Sequence, residues 1–303
     1  MRLKASISIS LLLLPLLGIA ENAQDLRAGF AIVDITPPLG IRMSGYFSER
    51  LASGIKDPLL AKAMVLRQGD TAAAIVCCDL LGIDETLTRD VRARIEAERG
   101  IPGDHVVLTA THTHTGPLYG DMQRFFKDDP DAEPDAIETQ TAAYEAELRD
   151  RIVAAVAEAD AAARPVQVRH GVGTLDNIAF NRRFYMKDGT VRCNPGKMNP
   201  DIVRPAGPVD TEVGLLHFSD AAGGPGALFT SFALHLDTTG GTEYSGDYPA
   251  YLQRFLREKL GNDLISFFGT GTCGDINHID VSHNEPQKGV SEPERIGAAL
   301  AEA

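Results

Sequence analysis

Two histidines at the end of an apolar run are the residues of this sequence best suited to chemistry. His112 and His114 lie two positions apart in the segment Thr-His-Thr-His-Thr-Gly-Pro, which ends at Pro117. In extended backbone, side chains at positions i and i+2 point to the same side, so the two imidazoles would face one ligand. Because neutral histidine is a common zinc ligand, the spacing favours a metal site. A pair of hydrogen-bonded surface histidines would have the same spacing.

A third histidine ends a second apolar segment. His235 follows Ser231-Phe-Ala-Leu, and a polar loop rich in Gly and Thr, from 237 to 246, comes after it. Loops that follow buried strands often carry ligand-binding side chains. His235 could therefore meet the other two histidines in one cleft, whereas a hydrogen-bonded core histidine would give the same pattern.

Two further segments are weaker candidates. The loop 269–278 contains three glycines, followed by Asp275 and Asn277; glycine allows the backbone close to a ligand, and a tight turn is the alternative. Arg182 could hold a carbonyl oxygen or an anion beside a metal, or could be an ordinary surface arginine. The sequence has no GxxxxGK(S/T) loop and no GxSxG elbow, which argues against P-loop and α/β-hydrolase chemistry.

The elements that must position these residues mix strands and helices along the chain. Short apolar and β-branched runs predict strands over 28–34, 61–68, 71–79, 105–111, 166–173, 212–218, 226–234 and 263–268. Helical spacing of apolar residues predicts helices over 84–99, 138–162, 247–260 and from Glu292 onward. Gly69-Asp70 between two apolar runs predicts an antiparallel hairpin. The predicted fold class is α/β, in its intermingled α+β form, with mixed β-sheets flanked by helices.

The composition and net charge of the chain indicate which classes of partner it is not expected to bind. Of 303 residues, 29 are Lys or Arg and 42 are Asp or Glu, which gives a net charge of −13. An acidic chain without a basic run is not expected to bind nucleic acid. The 44% hydrophobic content and 29 glycines are ordinary for a globular domain, and they exclude collagen and coiled-coil architectures. No protein partner is predicted.

The first twenty residues have the pattern of a secretory signal peptide. Arg2 and Lys4 precede an apolar run over 7–17, and small residues flank a cleavage position after Ala20. A membrane anchor is the alternative, but this run is short for the ~30 Å hydrocarbon core of a bilayer. We therefore expect a mature chain 21–303 that is secreted or periplasmic. In that oxidising setting Cys193 and Cys273 could form a disulfide.

Taken in order, these segments resemble the neutral/alkaline ceramidase family, whose members are non-lysosomal. The Thr-His-Thr-His-Thr-Gly-Pro block is the most specific part of the resemblance, which extends from about 28 to 280. The other matching pieces are Ala28-Gly29, Asp34-Ile-Thr36, Met43-Ser-Gly-Tyr46, Gly54-Ile-Lys-Asp57-Pro-Leu, Cys78-Asp79-Leu-Leu-Gly82, Asn181-Arg182, His235, Ser245-Gly-Asp247-Tyr-Pro-Ala-Tyr251 and the 269–277 loop.

The resemblance implies a zinc-dependent amidase that hydrolyses the N-acyl amide bond of ceramide or of a related N-acyl lipid. By position, His112 and His235 resemble zinc ligands, and His114 resembles the catalytic histidine beside the metal. Arg182 resembles an arginine that supports that histidine. The implied cofactor is Zn²⁺, which activates water near neutral pH. A ceramide-like lipid, met in an apolar channel or at a membrane surface, is the implied substrate.

The resemblance also has gaps. The family completes its zinc site with a glutamate and a tyrosine further downstream and carries a C-terminal immunoglobulin-like domain, whereas this sequence ends at Ala303 before any such segment. Since a catalytic zinc usually has three protein ligands, we expect 21–303 to be the N-terminal part of a longer catalytic domain.

Two other functions stay open at this point. One is a metal-dependent phosphoesterase or other esterase that uses His112, His235, Asp79 and Asp275. The other is a non-catalytic exported fragment whose metal site is incomplete.

Overall fold

The strands and helices follow the predicted alternation. The computed structural model describes residues 25–126, 133–220, 223–224, 226–287, 289 and 291–303, so the predicted signal peptide lies outside the described residues. The strands are β1 (Arg27–Asp34), β2 (Gly54–Ile55), β3 (Leu60–Gln68), β4 (Thr71–Cys78), β5 (Val106–Ala110), β6 (Arg164–Pro165), β7 (Gln167–Thr174), β8 (Phe180–Asn181), β9 (Arg183–Met186), β10 (Val191–Cys193), β11 (Ile202–Pro205), β12 (Glu212–Ser219), β13 (Ala227–Phe232), β14 (Glu243–Tyr244), β15 (Ile265–Thr270) and β16 (Ile276–Asn277). The helices are α1 (Glu85–Arg99), α2 (Ala136–Ala161), α3 (Tyr248–Leu260) and α4 (Ser291–Glu302).

The first sheet has the strand order β5-β4-β3-β1-β6. Strands β3 and β4 form the predicted hairpin, and β5 is parallel to β4 because α1 carries the chain back across the sheet. Helix α1 begins where the Asp84 side chain accepts a hydrogen bond from the Leu87 N–H, and it ends at Gly100 in a left-handed conformation (φ 64°). The parallel crossover places the ends of β4 and β5 side by side.

The second sheet repeats this arrangement with the order β15-β13-β12-β7. Strands β13 and β15 are parallel, and α3 lies between them in the chain, while β12 pairs antiparallel with its neighbours on both sides. The first sheet thus has one parallel and three antiparallel pairs, and the second has one parallel and two antiparallel pairs, which confirms the predicted mixed α/β class.

The two sheets pack face to face through an apolar layer. Phe30 of β1 makes edge-to-face contacts with Phe218 and Phe267, whose ring centroids lie 5.7 and 6.2 Å away. Helix α2 covers β1 and β3 on the outer face of the first sheet, and α3 with α4 covers the second sheet. The order of layers is therefore helix, sheet, sheet, helix, and the ends of β5 and β13 lie at one edge of this sandwich.

Several small elements lie outside the sequence predictions. A three-stranded sheet, β10-β9-β11, and the two-residue pairs β2–β14 and β8–β16 have no apolar periodicity to reveal them. The considered Cys193–Cys273 disulfide is not formed: all four cysteines, each among the described residues, are free. Within the described part of the chain, no helix combines the length and apolarity needed to cross a membrane.

Candidate metal centre

Three histidines from the two sheets meet at the shared edge of the sandwich. Among the described residues, His112, His114 and His235 are the group whose ligand atoms could hold a metal ion, and these atoms lie within 4.8 Å of one another. Their ring centroids are 5.1 Å apart for His112–His114, 4.8 Å for His112–His235 and 4.9 Å for His114–His235. The predicted convergence of the two strand ends therefore occurs.

The local backbone differs from the prediction at His112. Strand β5 ends at Ala110, and His112 adopts a left-handed conformation with φ 73°, so the extended i, i+2 argument does not apply. Such a conformation costs a non-glycine residue roughly 1–3 kcal/mol. It is held by a hydrogen bond from the His112 N–H to the Leu80 oxygen at 2.9 Å. The turn at His112, and not an extended strand as predicted, brings the rings of His112 and His114 together.

Hydrogen bonds fix the tautomers of two of the three rings. The Nδ1 atom of His112 lies 2.7 Å from the Leu81 carbonyl oxygen, and that of His235 lies 3.3 Å from the Cys273 carbonyl oxygen. A carbonyl oxygen only accepts, so we assign the proton of each ring to Nδ1. The Nε2 lone pairs of both rings are then available to a metal.

His114 is held differently. Its Nε2 lies 3.1 Å from Nε2 of His235 and, since the latter carries a lone pair, His114 is the donor in this contact. Its Nδ1 is buried and has no hydrogen-bond partner among the described residues. The main chain is tightly placed, because the His114 N–H donates to Leu236 oxygen at 3.1 Å and the His114 oxygen accepts from Arg50 at 2.7 Å.

Burial keeps the rings of His114 and His235 neutral. Desolvation, reinforced by the neighbouring histidines and by Arg50 and Arg182, lowers the pKa of His114 to about 3. Burial also lowers the pKa of His235. Neutral imidazole is the form that binds a metal or accepts a proton.

The donor set fits zinc. Two nitrogen ligands of one tetrahedral zinc, each about 2.0–2.1 Å from the ion, stand about 3.3 Å apart. The ligand atoms of all three histidines, those of His112 and His235 included, lie within 4.8 Å of one another, and His114 Nε2 lies 3.1 Å from His235 Nε2. His112 and His235, with Nε2 lone pairs available and backbone acceptors at Nδ1, have the arrangement that zinc-binding histidines need.

A buried carboxylate to which the sequence analysis gave no role, although it lies in one of the matching segments, holds the loop after His235. Asp247, fully buried and with φ 58°, precedes α3, and its Oδ2 accepts from the N–H groups of Thr238 and Thr239 at 3.0 and 2.9 Å. Its Oδ1 accepts from the Tyr248 N–H at 2.7 Å and from the Thr238 hydroxyl. The sequence signal that could have identified it as a helix cap is its position two residues before Pro249, at the start of a predicted helix.

A cavity of about 870 Å³ opens beside the histidines. Tyr46 and Asp237 line this cavity. Both are near His114: the Tyr46 ring centroid lies 5.6 Å from that of His114, and Asp237 Oδ1 lies 3.8 Å from His114 Nδ1. Arg182 lines the same cavity, and one of its guanidinium nitrogens donates to the Gly274 oxygen at 2.7 Å. The pair β8–β16, with the Arg182 N–H bonded to the Asp275 oxygen at 2.7 Å, brings this arginine from a distant part of the chain.

The carboxylates of the phosphoesterase alternative are not members of the cluster. Asp79 is buried, and its oxygens accept from the Leu60 N–H at 3.0 Å and the Thr111 hydroxyl at 3.2 Å. Asp275 accepts from the Asn181 amide at 2.9 Å. The glycine-rich loop 269–278 contributes to the cluster through the Cys273 carbonyl oxygen.

Comparisons with known proteins point in one direction. The model of the N-terminal part of neutral/alkaline non-lysosomal ceramidases matches residues 26–251. The chain is 28% identical over 278 residues to neutral ceramidase A of Dictyostelium discoideum, which covers 85% of this chain and 36% of the relative. It is 29% identical over 231 residues to the neutral ceramidase of Pseudomonas aeruginosa, which covers 72% of this chain and 32% of the relative.

Solved structures share the fold. The neutral ceramidase from Pseudomonas aeruginosa and a ceramidase complexed with C2 each superpose with a TM-score of 0.71 over 92% of this chain, at 22% identity. The superposition covers 44% and 43% of those chains. The chain spans about a third of the length of the curated relatives it matches.

Proposed function

The chain belongs to the neutral/alkaline non-lysosomal ceramidase family, and on this basis we propose that it is an amidohydrolase that cleaves the N-acyl amide bond of ceramide or a related N-acyl lipid. The observation that carries the proposal is the convergence of His112, His114 and His235 at one edge of the fold. Two of these histidines lie in the segment most typical of the family, and all three are inside the region that its model matches.

The proposed cofactor is zinc, held by His112 and His235. These two rings have the Nδ1–H bonds to backbone oxygens that leave Nε2 free for a metal. When bound, zinc supplies a Lewis acid that makes water a usable nucleophile near neutral pH.

His114 is the proposed proton carrier. Hydrolysis forms a bond between the water oxygen and the carbonyl carbon, breaks the carbon–nitrogen bond, and delivers a proton to the leaving nitrogen. His114 is neutral, and its Nε2 lies 3.1 Å from that of His235. With the ring proton on Nδ1, this Nε2 can accept a proton from the attacking water and return it to the amine.

Arg182 is the proposed partner of the substrate oxygen. It lines the cavity beside the histidines, and its single side-chain bond to Gly274 leaves other N–H donors for a carbonyl oxygen or a developing oxyanion. Removing one well-placed donor of this kind costs roughly 3–4 kcal/mol of transition-state stabilisation.

The proposed setting is outside the cytoplasm. The signal-peptide pattern of residues 1–20 supports secretion or a periplasmic location, and a lipid substrate would be met at a membrane surface. Neither nucleic acid nor a protein partner has a part in the proposal.

The test compares two substrate classes on one preparation. The purified chain, stripped of metal and reconstituted with zinc, is assayed for fatty acid release from a ceramide and for hydrolysis of an aryl phosphate. We expect zinc-dependent amide cleavage that chelator abolishes and that His112→Ala lacks. Amide cleavage that persists after stringent metal removal would contradict the zinc mechanism. Phosphate hydrolysis without amide cleavage would support the phosphoesterase function instead.

A further inference from the structure

A carboxylate stands behind the one histidine of the cluster whose Nδ1 is unsatisfied. Asp237 Oδ1 lies 3.8 Å from His114 Nδ1, beyond hydrogen-bond distance. This nitrogen is buried and has no partner among the described residues. Buried polar atoms are nearly always hydrogen-bonded, so an orphan facing an acceptor calls for an explanation.

Asp237 and His114 are held close by contacts on three sides. The Tyr46 hydroxyl donates to Asp237 Oδ1, and the Tyr46 ring packs edge-on against His114 at 5.6 Å. Arg50 lies over the Tyr46 ring, 4.2 Å from its centroid, and donates to the His114 oxygen at 2.7 Å. Asp247 fixes the backbone directly after Asp237. Asp237 and Tyr46 line the cavity, so these contacts join His114 to its wall.

The other two histidines show what is missing at His114. Each donates its Nδ1–H to a backbone oxygen, at 2.7 Å for His112 and 3.3 Å for His235. At His114 the described residue in the equivalent place, next to Nδ1, is Asp237. A carboxylate in this position fixes the tautomer and orientation of an imidazole and stabilises its protonated form.

The state of His235 decides which nitrogen of His114 carries the proton. In the present structure the His114 Nε2–H donates to the His235 Nε2 lone pair at 3.1 Å. A cation on that lone pair removes the acceptor and repels the Nε2 proton. The neutral ring then carries its proton on Nδ1, with no change in net charge, and Nε2 becomes a base.

We propose that Asp237 is the positioning residue of His114, accepting its Nδ1–H so that Nε2 stays unprotonated and faces the reacting centre. The inference rests on the proposed zinc amidase function, in which His114 carries the proton. Asp237 does not touch the substrate in this account. The Tyr46 hydroxyl donates to the same carboxylate.

The test uses the zinc-loaded chain and its Asp237→Asn variant. Two-bond 1H–15N NMR of the histidine rings is expected to show the Nδ1–H tautomer of His114 in the wild type and the Nε2–H tautomer in the variant. The variant should keep zinc affinity and KM, while kcat for amide hydrolysis falls about 10²- to 10⁴-fold. Asp237→Glu, which restores a carboxylate on a longer arm, should recover part of kcat.

Two control variants separate positioning from a structural role. Tyr46→Phe removes the hydroxyl and leaves the carboxylate, so the Nδ1–H tautomer should persist. If Asp237 served only to anchor Tyr46, this variant would lose the tautomer as Asp237→Asn does. Glu243→Gln removes the same charge from the same loop, but the exposed Glu243 side chain lies against Gly54, and His114 should be unaffected.

The outcomes are distinguishable from failure of the proposed function. An active zinc enzyme whose His114 tautomer and kcat are unchanged by Asp237→Asn overturns this inference alone. If the zinc-loaded chain cleaves no amide but its His114 tautomer shifts in the variant, the proposed function is overturned, and the positioning of His114 by Asp237 is supported. A wild-type chain that takes up no zinc overturns both.

Discussion

The three histidines differ at the level of single atoms. His112 and His235 have their Nδ1 atoms within reach of backbone oxygens, whereas the Nδ1 of His114 faces a carboxylate at 3.8 Å. This difference, and not burial or distance between rings, assigns two ligands and one proton carrier in the proposed mechanism. It also makes the two roles separable by mutation.

Alanine variants of the three histidines should therefore divide into two classes. We expect His112→Ala and His235→Ala to lose more zinc affinity than the about 10- to 100-fold typical of an outer-shell change, because each removes a ligand. His114→Ala should keep most zinc affinity and lose activity. Zinc titration against a chromophoric chelator measures this, and equal affinity loss in all three variants would make His114 a third ligand.

Gly45 is the glycine on which the placement of His114 depends. An added Cβ at Gly45 (φ 103°) would lie 2.6 Å from the His114 Cβ. Gly40 (φ 89°) is a matched control, since it has a similar backbone and no described atom within 4 Å of an added Cβ. Gly45→Ala should lower the free energy of unfolding by about 1–3 kcal/mol more than Gly40→Ala, as measured in denaturant. Equal losses would show that only the backbone conformation matters.

Asp79 gives the stability of the metal-free chain a pH dependence. Burial raises its pKa to about 6, above the about 3.9 expected when the chain is unfolded. Between these values the folded state binds more protons, so the free energy of unfolding falls as the pH rises from about 4 to about 6, by at most about 3 kcal/mol from this group.

Asp79→Asn keeps an oxygen for the Leu60 N–H and does not titrate, so its stability should fall less over this interval. Denaturant unfolding of both proteins at pH 4, 5 and 6 in chelator tests the sign. Parallel curves for wild type and variant would contradict the raised pKa.

At the scale of elements, two parallel crossovers build the site. Helix α1 brings the end of β5 beside β4, and α3 joins β13 to β15, so His112 and His235 reach one edge of the fold from two sheets. These strands and helices were predictable because apolar periodicity and caps specify them. Leu87, Val91 and Ile95 of α1, for example, are buried as their spacing indicates.

Other parts of the site had no such signal. The left-handed turn at His112 depends on its tertiary hydrogen bonds, and two-residue strands such as β8 and β16 are too short to have a period. Asp237 and His114 lie close together in space although they are 123 residues apart in the sequence. Pairings of this kind follow from packing and not from local pattern.

Asp247 links helix α3 to the loop that follows His235. Replacing this aspartate should therefore affect both the stability of the fold and the metal site. Asp247→Ala removes the acceptor of Thr238, Thr239 and Tyr248 N–H groups, so we expect a loss of about 2 kcal/mol or more in the free energy of unfolding. Asp247→Asn, which keeps one side-chain oxygen as an acceptor, should lose less.

The N-cap of α1 supplies the matched control. Asp84→Ala removes a cap bond of 2.7 Å and should cost about 1 kcal/mol without changing zinc affinity. Asp247→Ala should weaken zinc binding as well, through the loop that carries His235. Unchanged zinc affinity in Asp247→Ala would contradict this link.

At the scale of the whole molecule, the sandwich presents one reactive edge. The three histidines, Arg182 and the cavity of about 870 Å³ all lie there, while the opposite ends of the sheets carry short turns such as Gly69-Asp70.

The most direct test of the account is fatty acid release from ceramide by the metal-stripped chain during titration with zinc. We predict no release without zinc, a rise that reaches a plateau at about one zinc per chain, and no rise in His235→Ala. Release that is the same before and after zinc addition, or the same in His235→Ala, would contradict the central claim.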